Sequence, residues 1–391
     1  MDISLNDDQQ QLFDTALDFA RHALTCDQVR HLKTTESGFS AAVWKSMAEM
    51  GWIGAPFPEE YGGSGTGPIE LGLLVEALGR FVIPSPLFAT VIEAGLMLLD
   101  SGSAEQKQYW LPKIIAGESI LTTAILETSG GYEPQAIGTR LFKAGTKMTI
   151  SGTKTMVRDA GESEAIICLA RTGYGTRDLS LVIVPKSSPG LTMQRLAASG
   201  GESLWQVSFD QVAVAEGNLV GTWNGGWPLV IDLVRRGAAF KSAELTGIGQ
   251  TALDLTIKYA QTRIQFGKAI GSFQAVQHHC ANMYRDIEVC RLLAWQAVAS
   301  ANDRGCLREA AMAKAKCSDA IPGVTRTAHQ VHGAIAFYRN YPLELYYTRA
   351  VAAQAAYGGA RYHRRILADM LRNNPDQFRR EERHALPVHH I

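Results

Sequence analysis

The sequence has no excess of either charge. Lys+Arg and Asp+Glu both number 38, so the formal net charge is zero. Binding to a phosphate backbone draws on counterion release by a basic surface, so no nucleic-acid partner is expected. No apolar run approaches the roughly 20 residues that cross a bilayer, so no membrane insertion is expected. The opening MDISLNDDQQQLF is acidic and polar, unlike a secretion or organelle-import signal. Cysteine is sparse: Cys26, Cys168, Cys280, Cys290, Cys306 and Cys317 are scattered and form no CxxC pair. They read as reduced thiols of a cytoplasmic protein. The ten histidines show no HExxH-type spacing, so no metal site is expected.

What is present is a globular composition, 46% hydrophobic and 19% charged, in a chain of 391 residues, long enough for two or three domains. Three textures follow one another. Residues 1–117 carry helical periodicity, as in LNDDQQQLFDTALDFARHAL and IELGLLVEALGRFV, with Asn6 and Ser103 as N-caps and Gly51 and Gly117 as stops. Residues 118–225 turn to short β-branched segments (KMTISG, EAIICLAR, LSLVIVP, QVSFDQVAV), which read as an antiparallel barrel or sandwich. After Trp227-Pro228 the helical pattern returns, and residues 226–391 read as a four-helix-bundle domain with a peripheral tail, RREERHALPVHHI. Blocks of helix, sheet and helix predict an α+β protein with segregated layers. The YGGSGTGP stretch has GxG spacing, but no apolar strand precedes it; it reads as a loop, not a dinucleotide fingerprint.

Four segments stand out: GWIGAPFPEEYGGSG, ISGTKTMVRDAGESEAIICLAR, RIQFGKAIGSFQAVQHHCANMY and HQVHGAIAFYRNYPLELYYTRA. In their order and distances they resemble the acyl-CoA dehydrogenase family of flavoproteins, over essentially the whole chain. The third carries the family's R-x-x-F-G-x-x-I-x-x-x-Q signature. The resemblance implies FAD as cofactor and an acyl-CoA as substrate, in fatty-acid metabolism or lipid degradation. A carboxylate removes the thioester α-proton while the β-hydride passes to the flavin; the base must lie within about 3 Å of the acidic carbon. It also implies that Arg263, Phe266, Gln274, Gln330 and Gly333 reach the FAD of a neighbouring subunit, Arg263 through a charge-assisted contact to the pyrophosphate. Without the motif, Arg263 would read as a solvated helix-end cation and Phe266 as a core aromatic.

The sequence departs from that pattern where a subunit faces its own flavin. The family's catalytic Glu follows an aromatic residue in a Y-E-G-T-type turn, and here the turn is Tyr357-Gly358-Gly359-Ala360. The alternative base position, on the first helix of the C-terminal block, falls at or beside Gly237. Met156 and Arg158 stand where the family offers the flavin an aromatic and a hydroxyl. Gly333-Ala334, with Ala336, replaces a glycine-richer segment. Glu244 is a weak substitute base, seven residues after Gly237 and about 10 Å away on the same helix face; pairing with a nearby Lys or Arg is the commoner fate of such a carboxylate. Asp159 and Glu127 read as loop-capping or salt-bridging groups. Tyr357, Tyr362 and His363 stand near the turn, where contacts to cofactor or substrate and plain surface or core roles are both open.

Residues given to a neighbour are mostly kept, and those facing the chain's own site are mostly altered. AYGGARYHRRILADML resembles the base-lacking subunit of bacterial α2β2 acyl-CoA dehydrogenases. The expectation is a companion subunit that completes the FAD site of a homologous base-bearing partner, in an α2β2 assembly or a homotetramer. Two rivals stay open: a self-sufficient flavin monooxygenase or oxidase on the same fold, and a non-catalytic scaffold.

Overall fold

Side-chain caps start the early helices. Asn6 Oδ1 accepts from the Gln9 amide at 2.8 Å and opens α1 (Asp7–Ala23). Thr25 caps α2 (Cys26–Leu32), and Ser40 caps α3 (Ala41–Glu49). The loop before α4 (Pro68–Arg80) contains the glycine-rich stretch, and Pro68 sits at the helix start, where its missing N–H costs nothing. A π-helical turn, Phe88–Gly95, runs directly into α5 (Leu96–Ser101). Ser103 then caps α6 (Ala104–Ile115) through a capping box with Gln106. Gly51 and Gly117 follow the ends of α3 and α6 with φ of +75° and +71°, as expected of helix stops. The computed structural model describes residues 5–373 other than 146, 304–306 and 339. Cys306 and the C-terminal tail lie outside the described residues.

The middle layer is a sheet of β1 (Leu121–Ala124), β2 (Arg140–Ala144), β3 (Lys147–Arg158), β4 (Ala165–Arg171), β5 (Leu179–Pro185), β6 (Leu191–Leu196), β7 (Leu204–Val214) and β8 (Leu219–Val220). Its order is β6-β7-β3-β2-β4-β5-β8, with β1 pairing β4. Most pairs are antiparallel, but β1 and β2 each pair β4 in parallel. The sheet is therefore not the purely antiparallel one expected from the sequence, because strand texture does not encode direction. Along β3 and β7 the register shifts between Lys154 and Val157. Met156 sits in that irregularity with φ +55° and an exposed side chain, as a bulge re-aims residues.

The C-terminal layer holds α7 (Gly226–Thr262), a small hairpin of β9 (Ile264–Gln265) and β10 (Lys268–Ala269), α8 (Gln274–Ala299), α9 (Leu307–His332), α10 (Leu343–Ala355) and α11 (Ala360–Asn373). The middle stretch of α7 is almost wholly buried, which explains its weak amphipathic pattern. One hydrophobic core joins the N-terminal helices, β1, β4, β5 and the first half of α7. A second fills the bundle, and a third lies inside the sheet. Where the three layers meet, between the π-helical turn, β3 and the α10–α11 turn, a cavity opens.

Candidate functional site

The cavity holds about 420 Å³. Its walls are mostly apolar, including Ile125, Leu126, Leu233, Ala352 and Ala356; its polar groups include Glu93, Tyr132, Arg158, Glu202 and Tyr357. Met156 and Gly358 also line it, so the residues expected to face the chain's own flavin do converge. Thr155 and Leu126 are held together by the Thr155 amide donating to the Leu126 carbonyl at 2.9 Å.

Both expected base positions are glycine for a steric reason that the sequence hides. A Cβ on Gly237 would lie 2.3 Å from Tyr357 Cδ1. A Cβ on Gly358, whose φ is +89°, would lie 2.3 Å from Tyr362 Cδ1. Tyrosine rings therefore fill the volumes where a side chain at either position would start. The turn that sets these rings is fixed from several sides. Lys314 Nζ, with three N–H donors, lies within hydrogen-bond distance of four acceptors: the carbonyls of Ala353 (3.1 Å), Gln354 (2.9 Å) and Gly358 (3.1 Å) and Ser318 Oγ (2.8 Å). A cation there also meets the negative end of the α10 dipole. Burial pushes the Lys314 pKa down to about 7. His363 Nε2 donates to the Tyr357 carbonyl at 2.9 Å, an assignment that leaves Nδ1 as the bare, buried nitrogen. Burial, then Lys314, pushes the His363 pKa down to about 4. The Tyr357 amide donates to the Tyr132 hydroxyl at 3.2 Å.

Glu93, which the sequence reading did not single out, lines this cavity together with Glu202. It sits on the π-helical turn, a helix form frequent at functional sites. Its signal was a lone acid inside an apolar run, FATVIEAGLMLL. Both of its oxygens are engaged. Oε1 accepts from the Tyr357 hydroxyl and lies 3.4 Å from Arg158 Nε; Oε2 accepts from Thr123 Oγ1 at 2.5 Å. Arg158 also donates to Glu202 Oε1 at 3.0 Å and lies over the Tyr357 ring, 5.3 Å from its centroid. Burial works against ionised Glu202, but Arg158, Arg349 and Lys241 hold its pKa down to about 2.

Glu244 is not a lining residue of this cavity. Its Oε1 accepts from Arg349 Nε and Nη2 at 2.8 and 2.6 Å, and its Oε2 from Lys241 Nζ at 2.5 Å. Burial would raise its pKa, but Arg349 and Lys241 outweigh that and hold it below the usual value. A buried carboxylate fixed by two cations is a poor proton acceptor, so the geometry favours the ion-pair reading of Glu244. Glu127 likewise caps a loop, accepting from the Gly138 and Thr139 amides at 2.8 and 3.0 Å and from Lys154 Nζ at 2.8 Å. Asp159 is raised to about 7 by burial against the pull of Arg158. It has φ +51° and lies in a water-sized pocket on the other side of Arg158 and Glu202.

The other expected set lies at one end of the bundle. Tyr259, in the last turn of α7, stacks on His332, the last residue of α9, with centroids 4.5 Å apart. That contact ties the end of α7, which leads into the Arg263–Gln274 segment, to the end of α9, where Gln330 and Gly333 lie. Arg263, Phe266, Gln274, Gln330 and Gly333 are all exposed, and none lines the cavity. Phe266 is 91% exposed at the tip of the β9–β10 hairpin, so it is not the core aromatic it would be without the motif. Gly333 has φ +65°, with nothing within 4 Å of where its Cβ would be. Exposed Ile264, Phe337 and Tyr338 extend the apolar surface around them. A cation, an aromatic ring and an open left-handed glycine at an exposed end are groups that could hold a phosphate-bearing cofactor.

Three family models match in chain order: "Acyl-CoA dehydrogenase, N-terminal domain" over residues 6–118, "Acyl-CoA dehydrogenase, middle domain" over 122–212, and "Acyl-CoA dehydrogenase, C-terminal domain" over 224–371. Glutaryl-CoA dehydrogenase of Desulfococcus multivorans is 30% identical over 336 residues, 83% of this chain and 86% of that one. Acryloyl-CoA reductase (NADH) of Anaerotignum propionicum is 29% identical over 378 residues, 94% of this chain and 95% of that one. A chain in the structure of the ChsE4-ChsE5 complex from Mycobacterium tuberculosis superposes with a TM-score of 0.86 at 26% identity, covering 96% of this chain and 100% of that one.

Proposed function

The chain belongs to the acyl-CoA dehydrogenase family, whose members are FAD flavoproteins, and from that premise we propose that it is the companion subunit of a base-bearing homologue. The observation that carries this reading is the filling of both base positions by tyrosine rings, Tyr357 over Gly237 and Tyr362 against Gly358. Two carboxylates line the cavity. Glu93 already accepts from two hydroxyls and faces the Arg158 guanidinium, and Glu202 is held by Arg158, with its pKa down to about 2. Among the described residues, neither carboxylate that lines the chain's own cavity is without a hydrogen-bond or ion-pair partner.

FAD, when bound, supplies the acceptor for the β-hydride of an acyl-CoA. Within this chain, Arg263 would hold the cofactor's pyrophosphate, Phe266 would cover apolar surface of the cofactor, and Gln274, Gln330 and Gly333 would line the approach. Their exposure at one end of the bundle supports donation to a neighbouring subunit. Met156 and Arg158 would face a flavin held in the chain's own cavity. The partner's carboxylate takes the α-proton in its own cavity, where water exclusion strengthens it as a base. Likeness to a chain solved as a complex of two differently named proteins supports an α2β2 assembly. No described helix is long and apolar enough to cross a membrane, and the described cysteines are all free.

The test is co-expression with a base-bearing homologue, followed by flavin stoichiometry and acyl-CoA-dependent reduction of an electron acceptor. The pure chain should be inactive and the complex active. Robust turnover by the pure chain would end the companion reading.

A further inference from the structure

A second cavity, of about 410 Å³, lies beside the first. It is bounded by Trp227 and Val230 of α7, Ala310 of α9 and Ile366 of α11, with Arg177 and Arg365 among its charged residues. Tyr132 and Tyr362 line both cavities. Their rings face each other at 6.0 Å, tilted by 56°. Each ring is supported. The Tyr132 hydroxyl holds the Tyr357 amide at 3.2 Å. Tyr362 lies against the bare Gly358 and packs edge-on against the His363 ring at 5.1 Å. The Arg365 guanidinium lies 5.8 Å from the Tyr362 centroid and pairs with Glu133, the neighbour of Tyr132, which ties the two sides of the wall together.

The two sides differ in chemistry. The first cavity has alanine and leucine walls around a neutralised ionic cluster, and the second offers an indole, guanidinium groups and carboxylates. A long ligand with an apolar end and a polar arm would have to pass the tyrosine pair to use both. We propose that Tyr362, backed by Tyr132, is an exclusion residue that keeps the acyl end of an acyl thioester whose polar arm lies in the second cavity out of the first. The inference rests on the companion reading for its ligand class, and on the wall geometry for the rest. A thioester lodged where no base stands is withdrawn from turnover, so a companion subunit gains by refusing it. The same ring accounts for the glycine at position 358: the wall and a side chain there compete for one volume.

Isothermal titration of the purified full-length chain with coenzyme A, butyryl-CoA and octanoyl-CoA tests this. For the wild type and for Tyr362→Phe, which keeps the ring, affinity should vary less than about twofold with acyl length, including no measurable binding of any of the three. For Tyr362→Ala, octanoyl-CoA should bind at least tenfold more tightly than coenzyme A, because each buried methylene adds to the affinity. Tyr132→Ala opens the same wall from the other side and should show the same trend, which covers misfolding of the first variant. Acyl-length dependence already present in the wild type would overturn the inference, as would its absence in both alanine variants. Turnover by the wild-type chain alone is a separate readout: it would sink the companion reading whatever the binding data say.

Discussion

Tyr362 Cδ1 lies 2.3 Å from the point where Gly358 would carry its Cβ. Placing a carboxylate at position 358 is therefore not a matter of one residue. Gly358→Glu must place a non-glycine residue at φ +89° and push back a packed ring. The left-handed backbone costs about 1–2 kcal/mol and the overpacking a further 1–3 kcal/mol. The single variant is expected to unfold at lower temperature than wild type and to gain no dehydrogenase activity. Thermal unfolding and acyl-CoA-dependent dye reduction check both points. A stable, active Gly358→Glu chain would refute the steric account.

The Glu244 carboxylate is shared by Lys241 and Arg349 in the interior. Glu244→Gln leaves two buried cations short of a counter-charge, and breaking a buried pair in this way costs roughly 3–5 kcal/mol. Urea unfolding should show that loss. Activity per bound flavin in the assembled complex should stay within about twofold, since Glu244 is ascribed no proton transfer. A large fall in turnover with intact stability would reverse that assignment.

Arg263 is exposed and has no side-chain partner among the described residues, as suits a group reserved for a ligand. A hydrogen bond to a charged group is worth about 1.5–3 kcal/mol, so Arg263→Ala should weaken FAD binding by the complex roughly 10- to 150-fold. Titrating the apo complex with FAD measures this. Unchanged affinity would remove Arg263 from the cofactor site.

Asp159 has its pKa raised from 3.8 to about 7, burial being the first cause. Between those values the folded state binds more protons than the unfolded state, so this residue lowers stability as pH rises from about 4 to 7. Asp159→Asn removes the effect. Its melting temperature, taken relative to wild type, should climb across that window and level off above it. A difference that stays flat with pH would mean that Asp159 is ionised throughout.

Lys314 is the opposite case, a cation with its pKa lowered from 10.5 to about 7, chiefly by burial. The unfolded state binds the extra proton between these values, so the contribution of Lys314 to stability improves as pH rises through that range. Lys314→Met should abolish this rise and remove the Lys314 donor from the carbonyls of Ala353 and Gly358, at a cost of about 1–3 kcal/mol for each one left unsatisfied, while the Gln354 carbonyl keeps the Ser318 hydroxyl at 3.2 Å. Denaturant unfolding at pH 6.5 and 9 reads both effects.

The layer order was legible because it rests on local periodicity. Apolar residues at helical spacing in LNDDQQQLFDTALDFARHAL and β-branched runs in LSLVIVP need no knowledge of the rest of the chain. Capping by Asn6 and Ser103 was readable for the same reason, each bond spanning three residues. The motif around Arg263 and Phe266 was legible as sequence, and so was the glycine at the expected base position, 358. Strand direction was not, since β1 and β2 find β4 from distant parts of the chain.

What only the tertiary structure decided is what stands in the place of the missing groups. Tyr357 covers Gly237 across 120 residues of chain, a relation that no spacing rule carries. Glu93 reaches Tyr357 and Arg158 from the other two layers, and its polar partners make a buried acid tolerable in an apolar helix. Local sequence determines which residues form helices and strands, because those contacts lie within a few residues. Which rings fill a cavity, and which carboxylate retains its basicity, depends on packing among three separate layers, and that is settled only when they meet.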